Sequence, residues 1–222
     1  MQGLFTLFLQ QNVGYPTAVA TSSVSVFSGL VTLTMALGGG WISDRLGVRR
    51  ALTLSMVVVL VGRILLVQSP FWSGPLDPSF TGEGLPWILR WAALILKAFL
   101  LNPLTFGAIL IMAFGEGILQ PALYSGVKEY TDARTATLGY AFLYSIMNLG
   151  IVAGELLSPK VRQFWAHKVE HLDTAEVPTA GISGSFWFFI GVTAVVVLIN
   201  IFWFTRKVEE RDRVVVLSLI HI

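Results

Sequence analysis

Arg63, Glu116, Gln120, Tyr144, Asn148 and Glu155 each interrupt a stretch that is otherwise apolar. A charged side chain at the centre of a membrane helix costs about 2.5–3.5 kcal/mol on insertion scales, so such residues need a partner or a task. Glu116 is the strongest candidate for proton transfer, because a desolvated carboxyl readily alternates between its charged and neutral forms. A static hydrogen bond within a helix bundle is the competing reading. Arg63 and Glu155 stand toward one end of their stretches, where they can pair or reach the headgroups structurally. Gln120 falls one turn after Glu116 and precedes Pro121, whose missing N–H frees carbonyls that can face a cavity. Tyr144 and Asn148, at i and i+4, share a helix face, as solute contacts or as polar glue between helices. Gly150 and Gly154 read as a small pair for helix packing.

A second cluster is Gly40-Trp41-Ile42-Ser43-Asp44-Arg45-Leu46-Gly47-Val48-Arg49-Arg50. Gly40 would let two helix ends approach, and Gly47 would permit a sharp reversal. Asp44 would cap the following helix. Arg45, Arg49 and Arg50 would anchor the inner side of a membrane. A third pattern, His167-Lys168-Val169-Glu170-His171, matches the H-x-x-E-H of some zinc peptidases. It lies in a polar stretch without a catalytic domain around it, and a solvated turn is the preferred reading.

The elements that must hold these residues follow from composition. Of the 222 residues, 55% are hydrophobic and 13% charged, against about 25% charged in ordinary globular domains. No charge occurs in 1–43, 98–115, 135–154 or 177–205. These runs meet or approach the ~20 residues needed to cross a bilayer. An all-α polytopic membrane protein is expected, with spans near 17–42, 51–68, 104–127, 135–157 and 185–205. Residues 1–9 read as the tail of a partial first span. Zero cysteines exclude disulfides and thiolate metal sites. No cofactor, resident metal or nucleic-acid partner is expected; the net charge of +2 reflects basic loops rather than a nucleic-acid surface.

Residues 86–102 are apolar enough to span but carry Arg90 and Lys97. If they do not span, one side collects nine basic residues, Arg45, Arg49, Arg50, Lys128, Arg134, Arg206, Lys207, Arg211 and Arg213, against three, Lys160, Arg162 and Lys168, in the long loop opposite. If they span, the tally is six against six. The positive-inside rule favours the first arrangement, with 86–102 as an interfacial helix whose Trp87 and Trp91 lie at the outer headgroups.

The G-x-x-x-D-R-x-G-x-R-R pattern of 40–50 resembles the loop between spans two and three of the major facilitator superfamily. Gly115-Glu116-Gly117-Ile118-Leu119-Gln120-Pro121 and Leu143-Tyr144-Ser145-Ile146-Met147-Asn148-Leu149-Gly150 are similar to two motifs of its proton-dependent oligopeptide transporters, G-x-G-x-x-K-P and F-Y-x-x-x-N-x-G. Gln120 stands where that family has lysine, and Leu143 where it has phenylalanine. Met1-Gln2-Gly3-Leu4-Phe5 resembles the stretch after that family's E-x-x-E-R motif.

The resemblance implies a six-helix half of a facilitator, working by alternating access with a second, C-terminal bundle of the same protein. It implies proton-coupled symport of small peptides or peptide-like solutes, driven by a proton gradient and not by enzymatic chemistry. Glu116, Gln120, Tyr144, Asn148, Glu155 and Arg63 would be the solute or proton residues. Gly40, Asp44, Arg45, Gly47, Arg49 and Arg50 would form the cytoplasmic gating loop. The alternatives are a facilitator for another small organic solute and, remotely, a membrane zinc peptidase. A multi-pass protein of the cell (inner) membrane is expected. Residues 1–213 read as the bundle and 214–222 as a terminal segment, of which 217–222 match a translated sequencing adapter.

Overall fold

The computed structural model describes residues 2–72, 86, 89, 93, 96, 102–132, 134–173, 177 and 180–203. The interfacial helix expected at 86–102, the basic cluster 206–213 and the segment 214–222 therefore lie outside the described residues, apart from isolated positions in the first. Seven α-helices and no strands occur among the described residues: α1 (Gln2–Gln11), α2 (Thr17–Thr34), α3 (Gly40–Leu46), α4 (Val48–Gln68), α5 (Pro103–Tyr130), α6 (Ala136–Trp165) and α7 (Ile182–Trp203). A π-helical turn, Met35–Gly39, joins α2 to α3 without a break, so that Thr17–Leu46 is one 30-residue rod. Among the described residues, five helices are long and apolar enough to cross a membrane: Thr17–Leu46, Val48–Phe71, Pro103–Tyr130, Ala136–Glu170 and Ile182–Phe202.

The chain threads up and down. Gly126 of α5 lies beside Val48, and Gly62 of α4 beside Met112 and Ala108, so α4 and α5 are antiparallel. Thr53 meets Asn200 and Arg63 meets Thr193, which sets α7 antiparallel to α4 as well. α4 therefore ends at the face from which α5 begins. Asp44 and Arg49 stand with Lys128 at one end of the bundle, and His167 at the other, the threading that the charge tally favours.

Glycines allow the closest approaches. A Cβ on Gly115 would lie 2.9 Å from the Val59 nitrogen and 3.0 Å from the Ser55 carbonyl; one on Gly62 would lie 2.9 Å from the Met112 nitrogen. The α4–α5 interface is the most extensive among the described helices, and backbone-to-backbone packing of this kind is what holds helices together where no water drives them. The core cluster runs through Phe5, Phe8, Leu9, Val24, Leu66, Ile109 and Met112. Phe8 packs on Phe186 with ring centroids 4.5 Å apart.

Four local expectations need correction. Gly39, not Gly40, makes the close approach: its α-carbon faces the Gly117 carbonyl and Pro121, whereas a Cβ on Gly40 would meet nothing within 4 Å. Asp44 does not cap α4, whose N-cap is Gly47 at φ 77° with no side-chain cap hydrogen bond. A Cβ on Gly150 would likewise meet nothing within 4 Å, so none of the described helices packs closely there. Gly47 does make the expected reversal, with the left-handed φ that favours glycine. Finally, α6 continues past Leu157 and through Pro159 to Trp165, so much of the expected polar loop is helix.

Candidate functional site

Arg63 comes from the outer half of α4 and Glu116 from the middle of α5, 53 residues later in the chain. Gly115 turns one side of α5 onto α4, while Gly117 turns the next onto Thr34 and Val31 of α2. With both flanking glycines packed, Glu116 is left pointing between the two neighbours. The Arg63 Nη2 lies 3.7 Å from the Glu116 Oε1, and both side chains keep partial exposure, 25% and 29%. Arg63 Nη1 also donates to Thr193 Oγ1 on α7 at 2.6 Å, and the Thr193 hydroxyl is within 2.7 Å of the Phe189 carbonyl. The guanidinium thus bridges three helices.

That pair edges a cavity of about 270 Å³ walled by α1, α2, α4, α5 and α7. Leu4, Phe5, Val24, Phe27, Met112, Phe186 and Phe189 supply apolar and aromatic walls, and Ser28 adds a hydroxyl. Phe5 and Phe27 meet edge to face at 5.8 Å. A cavity with apolar walls and a few convergent polar groups is the usual form of a small-molecule site, though ~300–1,000 Å³ is the common size. This one suits a small solute.

The remaining sequence candidates are dispersed. Gln120 is half-buried one turn from Glu116 but is not among the residues lining the cavity. Tyr144 is 67% exposed, and Asn148 donates from Nδ2 to the Tyr144 carbonyl at 2.8 Å, so neither reaches the cavity. Glu155 is exposed on the same helix. Of α6, only Gly154 is buried. Arg63 is the direct partner of Glu116, a pairing that its place toward one end of its stretch left open. The wall residues Phe27, Ser28 and Phe189 were missed, because nothing in an apolar run marks which ring faces a cavity.

In the 40–50 loop, the Arg45 guanidinium stacks 4.2 Å over Trp41, and Asp44 is exposed without a partner among the described residues. At the opposite end, Glu170 has a structural role. Its Oε2 accepts the Gly181 N–H at 2.6 Å and its Oε1 the Ser183 hydroxyl at 3.1 Å, which places a carboxylate at the start of α7. Arg162 donates from Nε to the Ala180 carbonyl at 2.7 Å beside it. His171 takes a left-handed turn at φ 56°. Among the described residues no three metal-ligating side chains converge, so the H-x-x-E-H pattern here closes a helical hairpin.

No curated protein and no solved structure matches the chain. The sequence profile of the Major Facilitator Superfamily matches residues 1–218. With its apolar, up-and-down helices, the chain is an integral multi-pass membrane protein with the architecture of one half of a facilitator, and it belongs to the major facilitator superfamily of membrane transporters.

Proposed function

We propose that this bundle works in a proton-coupled symporter for small peptides or peptide-like solutes, with the Arg63–Glu116 pair as the coupling element. The observation that carries this reading is the placement of both charges, 3.7 Å apart, on the edge of an aromatic-walled cavity between helices. Arg63 presents a planar donor fork suited to a carboxylate. A solute carboxylate that takes the guanidinium leaves Glu116 without its cation, and a carboxylate so isolated in a low-dielectric site takes a proton. Solute and proton then load together, one proton for each carboxylate captured. The aromatic walls receive the solute's apolar side chains.

The resemblance of 115–121 and 143–150 to the oligopeptide transporters supports the peptide assignment. Tyr144 and Asn148 would contact solute only from the exposed face of α6, where a second bundle of the same protein would meet it. Asp44, exposed at the other end and without a partner among the described residues, would latch that second bundle when the inner side closes. The charge bias puts this loop in the cytosol, and a cell (inner) membrane is the proposed site. Gln120 in the lysine position favours a second reading, a facilitator for another small organic solute.

Uptake into liposomes by the full-length transporter tests the proposal. Glu116→Gln should abolish dipeptide uptake driven by an acid outside, while counterflow exchange of the same dipeptide persists. Unchanged acid-driven uptake would refute the role of Glu116. Competition by small monocarboxylates but not by dipeptides would select the second reading.

A further inference from the structure

We propose that the groove between the start of α4 and the end of α7 is a binding site for an anionic glycerophospholipid, whose phosphate lies on Arg49 and Arg50. This inference rests on membership of a membrane family and not on the transport reading above. The groove has a volume of about 530 Å³, is open to the surface, and is lined by Arg49, Arg50, Thr53, Leu54, Val57 and Ile201.

Its chemistry is graded along the helix. Arg49 and Arg50 occupy the second and third positions of α4, which begins at Val48, at the level where a span meets the headgroups. Val57 lies seven residues deeper, about 10 Å at ~1.5 Å per residue, within the hydrocarbon. Leu54 is 41% exposed, Val57 37% and Ile201 42%. These apolar side chains therefore form a continuous track from a dibasic head toward the membrane interior.

The Thr53 hydroxyl in the floor is already engaged. The Thr53 hydroxyl lies 2.9 Å from the Arg49 carbonyl and 2.7 Å from Asn200 Oδ1, which ties α4 to α7 beneath the groove. Among the described residues neither guanidinium has an acidic partner. Two cations above an apolar track match a molecule with a phosphate at one end and an acyl chain at the other. Basic pockets between membrane helices on the cytosolic side bind acidic headgroups in this way, and the charge tally assigns this end to the cytosol. A free anion would use the arginines but leave the track empty.

Native mass spectrometry of the chain released from vesicles of equal phosphatidylglycerol and phosphatidylcholine tests the assignment. The chain should retain phosphatidylglycerol in preference. Each basic residue near an anionic surface is worth roughly fivefold, so Arg50→Gln should cut the preference about fivefold and Arg49→Gln with Arg50→Gln about thirtyfold. Lys128→Gln, at an exposed basic residue of the same end that does not line the groove, should leave the retained lipid unchanged. Val57→Trp, which fills the track and keeps both arginines, should remove the bound lipid whatever its headgroup. A preference that survives the double substitution overturns the proposal. So does phosphatidylglycerol retained in Val57→Trp but stripped by inorganic phosphate, which marks an anion site, or a lipid-free dimer, which marks a protein contact.

Discussion

If Arg63 and Glu116 act as a pair, removing one charge must cost far more than removing both. At 3.7 Å the gross attraction is about 4.5 kcal/mol at an effective dielectric near 20. Desolvation of both ions offsets part of it, and with roughly a quarter of each side chain exposed we expect a net coupling of about 1.5–3 kcal/mol. Arg63→Met and Glu116→Gln, singly and together, form the cycle. Unfolding in mixed micelles, followed through the seven tryptophans, gives the four stabilities. Glu116→Gln alone should lose about 2–4 kcal/mol, because it strands a guanidinium held by one threonine. The double variant should then recover most of the coupling. Losses that add to within about 0.5 kcal/mol would mean that the charges do not interact, and the coupling mechanism would fall with them.

Four other outcomes follow from the packing and the loops. Gly115→Ala should destabilise by about 1–3 kcal/mol, since its Cβ meets backbone atoms of α4, whereas Gly107→Ala, with open space around it, should be neutral or slightly stabilising; equal effects in thermal unfolding would contradict the close approach. Asn200→Leu should cost about 0.6 kcal/mol, at most ~1.7, through the lost Thr53 contact, read in the same micelle assay. Glu170→Ala should loosen the start of α7 by about 0.5–2 kcal/mol, measured by amide exchange at Gly181, while His167→Ala and added zinc change nothing; zinc bound stoichiometrically would revive the peptidase reading. Hydrogen bonds from the Thr135 hydroxyl and backbone, with a further one from the Arg134 N–H, hold the Asp132 carboxyl below its ordinary 3.8. Its contribution to stability is thus present above 3.8 and lost as pH falls through the lowered value. Thr135→Ala should raise that pKa in carboxyl NMR, and no movement would count against the cause.

Charge-free runs and basic loops made the threading legible, because hydrocarbon admits few other structures for such a chain. Gly47 was equally plain, as a reversal between two spans demands a residue tolerant of positive φ. The choice between Gly39 and Gly40 was not. The π-helical turn Met35–Gly39 shifts the helix face by a fraction of a turn, and nothing in three successive glycines announces it. The partner of Arg63 was hidden for a related reason. The distance of Arg63 along α4 is readable, but its azimuth toward Glu116 depends on how Gly62 and Gly115 dock two helices. Tyr144 and Asn148 were paired correctly on one face, yet which way that face points is a property of the assembly. Glu170 was hidden by its motif, since only the folded hairpin brings it to Gly181.

Infrared difference spectroscopy on the full-length transporter, comparing the dipeptide-bound and free states, tests the central claim most directly. A protonated-carboxyl band should appear when the dipeptide binds and be absent in Glu116→Gln. A band unaltered by Glu116→Gln, or no band on binding, would contradict proton loading at the Arg63–Glu116 pair.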